Sequence, residues 1–495
     1  MFSIKKINID SKKILFLGYG AVAKCVWNYF DYYFDYNINN VYIVDKYEES
    51  IYGPKLDKIN EKNIIILNVR SFNFDKLISD IGLNIGDIVI DLTYASNTYY
   101  FITKCLDLGL NYINTSIEDC NDDFYGASID IQQKTVYEIY KRYTSDAKPK
   151  SNILIEFGQN PGLIQHYVLY ALNKLNKLSH IKEGYADNYD INYLKQAIID
   201  HKIGTILMSE IDEITSDKFK AEKDAQYNSW CVAGLFGEGF DKVELAFGKE
   251  NKFIKPSIPK HMFDMKKTSL LKNNDYKVIF LNDYGLNSNF NSVCPALNES
   301  NQIIFKKFEG ALIHHGELFE LARLFGRDAP FLAYVYKINK YAKESLIENF
   351  SNRHEHHDSN DVALNLLSSY NKCQVLENIK INNMFKGFDS MGCTLFCGKN
   401  SIDKIYWCGS VLDSNDPYIN KLFTPTIVQV AAGVLSGLSY ILESTNINKG
   451  LLFPCDLDTK YVLDKSVPML GKFFFTEIPT EHFDKTIEFT LDEIL

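Results

Sequence analysis

The sequence predicts an α/β protein: a doubly wound parallel sheet comes first, an α+β region follows, and C-terminal helices return to the first sheet. Three observations carry this. The run "ILFLG" is short and apolar throughout, the pattern of a strand buried on both faces of a parallel sheet. It leads through Gly18, Gly20 and Ala23 into the amphipathic stretch "VAKCVWNYF". Apolar runs of strand length then alternate with helix-length segments, and the beat stops near residue 180.

Each early element has its own signal. GxGxxA after a strand is the Rossmann pattern: Gly18 makes the tight turn, Gly20 lets a pyrophosphate approach the backbone, and Ala23 allows close helix-to-strand contact. A plain tight turn would leave the same trace, so the context matters. "NNVYIVDKY" supplies a second strand ending in Asp45, where a carboxylate takes ribose hydroxyls and repels a 2′-phosphate, favouring NAD over NADP. "NIIILNV" (63–69), "DIVIDLT" (87–93) and "NYINTS" (111–116) read as strands. "FDKLISDI" and "NTYYFITKCLDLG", the second ending at Gly109, read as helices. Ligands bind beyond the carboxyl ends of such strands, which places Asp91, Tyr94 and Glu118 near the nicotinamide, although each also suits a cap or loop.

Farther on, "YTSDAKPKSN" (143–152) reads as a linker. "NILIEFGQNPG" reads as a strand and turn before a helix opened by Pro161 and Gly162. The expected division is 1–155 with about 417–495 as the cofactor-binding domain, and 156–416 as the substrate-binding and dimerisation domain. The histidines of "SNRHEHHDSND" (351–361) lack the helical spacing of a metal site and read as a solvated loop, so no metal is expected. "IVQVAAGVLSGLSYIL" (427–442) is short for a membrane span and carries Gln429, Ser436 and Ser439, so it reads as a buried helix.

Composition narrows the partners. A chain of 495 residues with 46% hydrophobic residues can bury more than one core. A net charge of −10 disfavours nucleic acid and anionic membranes and suits a cationic small molecule, or simply keeps the protein soluble. The ten cysteines form no CxxC pairs, and the N-terminus has no long apolar region. Reduced thiols and a cytoplasmic location are therefore expected.

Several blocks in order carry a more specific signal. "GQNPG" (158–162), "NSWCVAGLFGEG" (228–239), "VELAFG" (243–248), "GALIHHGE" (310–317), "FDSMG" (388–392) and "YWCGSVLD" before the apolar helix resemble bacterial homospermidine synthases. That family belongs to the wider group built like saccharopine dehydrogenase and carboxynorspermidine synthase. The resemblance implies an NAD-retaining homodimer that makes homospermidine from putrescine, or from putrescine and spermidine, with no net redox change. It implies catalytic roles for His315, Glu210, Glu238, Trp230 and Asn160, and substrate contacts from Asp91, Glu118, Glu317 and Asp389. Gly18, Gly20, Ala21, Val22, Asp45, Thr93 and Asn160 would hold the cofactor. Two departures stand beside these positions: "EID" at 210–212 where the family commonly has "ERD", and Gly316 where it has Asn.

The residue types suit that chemistry. Putrescine is a dication at neutral pH, since alkyl amines titrate near ~10.4. Several carboxylates must pair its ammonium groups, because leaving one desolvated would cost several kcal/mol. Hydride leaves a carbon only beside a neutral amine, so a base is needed, and His315 with carboxylates nearby is the candidate. Trp230 could cover a cationic imine and exclude water, or be a core aromatic; Asn160 could orient the nicotinamide or a substrate amine, or only make a turn. A carboxylate-binding reductase of the saccharopine type would instead need arginines, for which Arg323, Arg327 and Arg353 are the candidates.

Overall fold

The structure is a computed structural model that describes residues 4–48, 51, 53, 55–93, 97–117, 150–179, 189–216, 228–231, 234–235, 238–239, 242–254, 256, 269–272, 274–351, 385–417, 419–443 and 450–480. The chain opens with β1 (Ile7–Asn8), paired with β3 (Phe34–Asp35) beside a seven-stranded sheet. That sheet contains β2 (Ile14–Leu17), β4 (Val41–Asp45), β5 (Ile64–Ile66), β6 (Ile88–Asp91), β7 (Asn111–Asn114), β8 (Asn152–Leu154) and, far along the chain, β18 (Gly450–Leu452). All are parallel in the order β18-β8-β7-β6-β2-β4-β5, the doubly wound arrangement. β2, β6, β7 and β8 are buried along their whole lengths, as continuous apolar runs require.

Helices α1 (Ala21–Tyr33), α2 (Ser71–Ile81) and α3 (Thr98–Leu108) make the crossovers. α2 and α3 both stop at glycines in the left-handed region, Gly82 and the expected Gly109. At Gly18, φ is +77° and a Cβ would stand 2.8 Å from the Leu92 carbonyl oxygen. Only glycine lets the loops after β2 and β6 meet this closely.

Next come α4 (Leu163–Ser179) and α5 (Ile191–Asp200), and then the second sheet. Its strands are β9 (Ile203–Asp212), β10 (Lys242–Gly248), β11 (Ser269–Lys272), β12 (Tyr276–Tyr284), β13 (Asn289–Leu297), β14 (Ile303–Ile313), β15 (Phe331–Lys337), β16 (Phe388–Cys397), β17 (Lys404–Asp413) and β19 (Lys472–Ile478). They run β11-β12-β10-β15-β9-β16-β17-β19, with β13 on β14 and β14 on β15; among the described residues of this sheet only β15 and β9 pair in parallel. α6 (Gly316–Phe325) and α7 (Lys340–Ser351) flank β15 in sequence.

Strand alternation gives the second sheet two different faces. Met208, Tyr334, Tyr336, Met391 and Cys393 join the core shared with the first sheet. Leu207, Ile211, Val335 and Phe396 fill a separate core behind.

The C-terminal segment returns to the first sheet as expected, through α8 (Pro425–Glu443), α9 (Thr459–Ser466) and β18. α8 passes the length and hydropathy test for a membrane span, yet it lies buried against α1 and α9. A Cβ at Gly433 would fall 2.0 Å from the Gly158 carbonyl oxygen, so glycine lets this helix sit directly on the 157–158 turn. One expectation needs correcting. Residues 472–478 do not join the cofactor-binding unit but extend the second sheet, because β19 pairs with β17 from Val411 to Ile405. The readings of 143–149 as linker and of the 352–361 histidines as a solvated loop fall outside the described residues.

Candidate active site

Three strands place acids and tyrosines on the inner face of the second sheet. Glu210 and Asp212 are two apart on β9, so their side chains point the same way. In register, Tyr336 stands beside Glu210 on one side, and Met391 and Asp389 stand beside Glu210 and Asp212 on the other. The turn after β8 brings in Asn160, whose Nδ2 donates to Glu210 Oε2 at 3.2 Å and to the Tyr334 hydroxyl at 2.6 Å. Tyr334 in turn donates to Glu210 Oε2 at 2.7 Å.

A second group meets this one through an aromatic stack. β14 ends just before His315, which caps α6, and Glu317 lies in that helix's first turn. The His315 ring stacks on Tyr334 with centroids 4.6 Å apart and planes 12° from parallel. Its Nε2 bonds Glu238 Oε1 at 3.0 Å, and its Nδ1 lies 3.3 Å from Glu317 Oε2.

Burial makes this a charged problem. Glu210, Asp212, Glu238, Glu244, Glu317 and Asp389 are each at most 8% exposed. Asp389 accepts from the Thr426 hydroxyl through Oδ2, and Asp212 from Ser229 at 2.5 Å and from the Ile214 amide at 2.9 Å. Yet Asp389 Oδ1, Glu238 Oε2 and Glu317 Oε1 accept no hydrogen bond among the described residues. Such buried oxygens call for a cationic partner or a proton.

The proton affinities agree. Burial, then the charges of Glu238 and Asp212, push Glu210 up to about 8 despite the Tyr334 hydrogen bond. Burial lifts Asp212 to about 6 and, with Glu210 and Asp212 beside it, holds Asp389 well above the carboxylate range. Glu238 and Glu244 also rise through burial. Burial alone would lower His315, but Glu317 and Glu238 outweigh it and hold the imidazole well above its usual value.

Trp230 stands at the edge of the cluster, half-buried, with its indole Nε1 3.4 Å from the Tyr336 hydroxyl. Ser229, bonded to Asp212, and Thr424, bonded to the Ser229 carbonyl at 2.6 Å, hold that segment.

At the first sheet, the N–H groups of Ala21 and Val22 precede the first helical bond of α1, from Lys24 N to the Gly20 carbonyl. The first turn carries no acid. Those features fit a diphosphate at the helix terminus. Asp45 accepts from the Tyr19 amide at 2.7 Å and the Tyr47 amide at 2.9 Å, so it ties the glycine loop to β4. A carboxylate has about four acceptor sites, leaving room for ribose hydroxyls.

Asp91 is buried at the end of β6. Its Oδ1 accepts from the Thr93 amide at 3.1 Å and hydroxyl at 2.6 Å, and its Oδ2 from the Tyr112 hydroxyl at 2.7 Å. Oδ1 thus serves the turn after β6 and Oδ2 ties it to β7, three of the carboxylate's about four acceptor sites. Glu118 and Tyr94 lie outside the described residues.

The structure adds residues the sequence reading did not single out: Asp212, Tyr334, Tyr336, Glu244 and Glu156. The pairs Glu210/Asp212 and Tyr334/Tyr336 were detectable as i, i+2 polar residues on otherwise apolar strands. That β9 and β15 pair in parallel had no local signal.

Comparison with known proteins bears on the fold. Residues 14–151 match the family described as the saccharopine dehydrogenase NADP binding domain. The chain is 23% identical to a homospermidine synthase of Mesorhizobium japonicum, covering 94% of this chain and 90% of that one. It is 22% identical to that of Blastochloris viridis, covering 92% and 89%. The crystal structure of the Legionella pneumophila homospermidine synthase, in complex with NAD, superposes with a TM-score of 0.72 at 20% identity, covering 96% of this chain and 93% of that one. The chain has the homospermidine synthase fold. Saccharopine dehydrogenase from Saccharomyces cerevisiae is more distant, with a TM-score of 0.51 at 12% identity over 94% of this chain and all of that one. The homospermidine synthase fold thus accounts for both sheets and for the returning C-terminal segment.

Proposed function

We propose that the chain is a homospermidine synthase: it transfers an aminobutyl group to putrescine through an imine held on the enzyme, from putrescine with loss of ammonia or from spermidine with release of 1,3-diaminopropane. The observation that carries this reading is the set of buried carboxylate oxygens without a donor on Glu238, Glu317 and Asp389. A diammonium ligand supplies the missing donors and charge.

NAD, when bound, supplies a hydride acceptor that later serves as the donor, so no net redox change results. Gly18, Gly20, Ala21 and Val22 would hold its diphosphate and Asp45 a ribose, with Thr93 and Asn160 toward the nicotinamide. Glu210, Asp389, Glu238 and Glu317 pair the ammonium groups. An incoming dication competes with the His315 imidazolium for Glu238 and Glu317, so His315 gives up its proton and becomes the base for the reacting amine. Trp230 covers the substrate's imine and keeps water from it. Asn160 and Tyr334 orient Glu210. The reading brings with it polyamine substrates, a homodimer and a cytoplasmic setting.

A reductase joining an amine to a keto acid would need guanidinium groups facing a substrate carboxylate. Instead Arg323 lies over Phe453 and near Glu320, and exposed Arg327 pairs with Asp275 and Glu250. Arg353 lies outside the described residues. Incubating the protein with putrescine and NAD should yield homospermidine by mass and release ammonia. Accumulation of NADH from putrescine alone, without homospermidine, would refute the proposal.

A further inference from the structure

The site takes Asn160 from the turn after β8, and His315 with Glu317 from the start of α6, far along the chain. Asn160 must stay within reach of Glu210 and Tyr334 while His315 stays stacked on Tyr334, so the two segments need a fixed spacing. Gln165 and Glu320 span them. Gln165 lies in the first turn of α4, and its Oε1 accepts from the Gly162 amide at 2.7 Å, so it grips the turn that carries Asn160. Its Nε2 donates to Glu320 Oε2 at 2.8 Å. Glu320 stands on α6 one turn beyond Glu317, and its Oε1 accepts from the Cys455 amide at 2.8 Å, on the turn Pro454–Asp456 after β18.

Both side chains are buried, 1% and 2% exposed, so water cannot stand in for a lost partner. Burial lifts Glu320 to about 7 although Arg323, 4.0 Å away, opposes the rise. A buried carboxylate is a costly way to pack two helices, and an apolar pair would do so at less cost. What the polar pair adds is direction: each oxygen and the amide between them accept or donate along one line, which sets the distance from the Gly162 turn to α6.

We propose that Gln165 and Glu320 are positioning residues, one hydrogen-bonded link that sets Asn160 against His315 for the transfer reaction. The inference rests on the homospermidine synthase reading. Neither residue touches substrate; each acts through the segment it holds, and a slip of about 1 Å there can cost up to about a hundred-fold in rate.

The test exchanges the two side chains. In E320Q an amide donor must face either Gln165 Nε2 or the Cys455 amide, so one donor meets another. In Q165E two carboxylates face each other. The double variant Q165E/E320Q satisfies every bond again: the carboxylate at 165 accepts from Gly162 and from the new amide, whose oxygen accepts from Cys455. At pH 8.5, where Glu320 is ionised, each single variant should lower kcat/KM per folded molecule at least about ten-fold, and the exchange should return it to within about three-fold of wild type. Should E320Q not fold, E320D, which keeps the charge but draws it back by one methylene, takes its place. Folded single variants with wild-type kcat/KM, or an exchange no better than the single changes, would overturn the proposal. A second readout needs no turnover: the NMR signal of the His315 ring. Its titration midpoint should fall by about one unit in E320Q, as the ring loses its hold on Glu238 and Glu317, and recover in the exchange. If wild type makes no homospermidine, the proposed function fails, and this signal decides the link by itself: a displaced and recovered midpoint supports it, and an unmoved one overturns it.

Discussion

Replacing Tyr334 with Phe isolates one hydroxyl at the centre of the site. The ring's stack on His315, centroids 4.6 Å apart, should persist, since Phe keeps the same shape. What disappears is the donor to Glu210 at 2.7 Å and the acceptor of Asn160 at 2.6 Å. Asn160 still reaches Glu210 at 3.2 Å, so that carboxylate keeps one neutral donor. A hydrogen bond to a buried charged group contributes about 1.5–3 kcal/mol, which corresponds to a fall in kcat/KM of roughly 10- to 100-fold. There is also a signature in pH. The Tyr334 hydroxyl lowers the proton affinity of Glu210, which burial has pushed up to about 8. Without it Glu210 ionises at still higher pH, so the alkaline-going rise of kcat/KM should move up by about one unit. Initial rates of homospermidine formation between pH 6 and 10 measure both effects. A Y334F enzyme with wild-type kcat/KM and an unmoved profile would show that Glu210 does not act as an ionised ligand held by this tyrosine.

Other outcomes follow from the same site. Putrescine binding should expel protons from Glu210, Asp212 and His315, so its apparent binding enthalpy should vary with the ionisation enthalpy of the buffer; calorimetry in phosphate and Tris would detect this, and identical enthalpies would contradict it. Asp212 and Glu210 have raised proton affinities when folded, so their contribution is intact below their unfolded values of 3.8 and 4.5 and is lost as pH climbs through about 6 and then about 8. The ligand-free protein should therefore melt at lower temperature at pH 8.5 than at pH 6, and putrescine should narrow the gap. Gly18→Ala should weaken NAD binding at least ten-fold while circular dichroism stays native, because the new Cβ would lie 2.8 Å from the Leu92 carbonyl and push the two cofactor loops apart.

The first sheet was readable from the chain because its signals are local. Each buried parallel strand writes itself as a continuous apolar run, the helices end on Gly82 and Gly109, and the glycine loop needs its small residues within six positions. Motif resemblance also picked out Glu210, Glu238, His315, Glu317 and Asp389, which the fold brings together. Distances along the chain hid the rest. Tyr334 meets Glu210 only because β15 lies parallel to β9 in one register, and a shift of a single residue would turn every one of these side chains to the opposite core. Asp91 stands at the strand end the sequence predicts, but that it also accepts from Tyr112 depends on where a hydroxyl on the neighbouring strand falls. The β19 strand joined the second sheet for the same reason, since backbone pairing depends on which edge is open and not on the residues that approach it. Periodicity and chain-neighbour chemistry thus determined the elements and the cofactor loop, while long-range strand register decided which acids share a buried, low-dielectric space and so which of them need a cation.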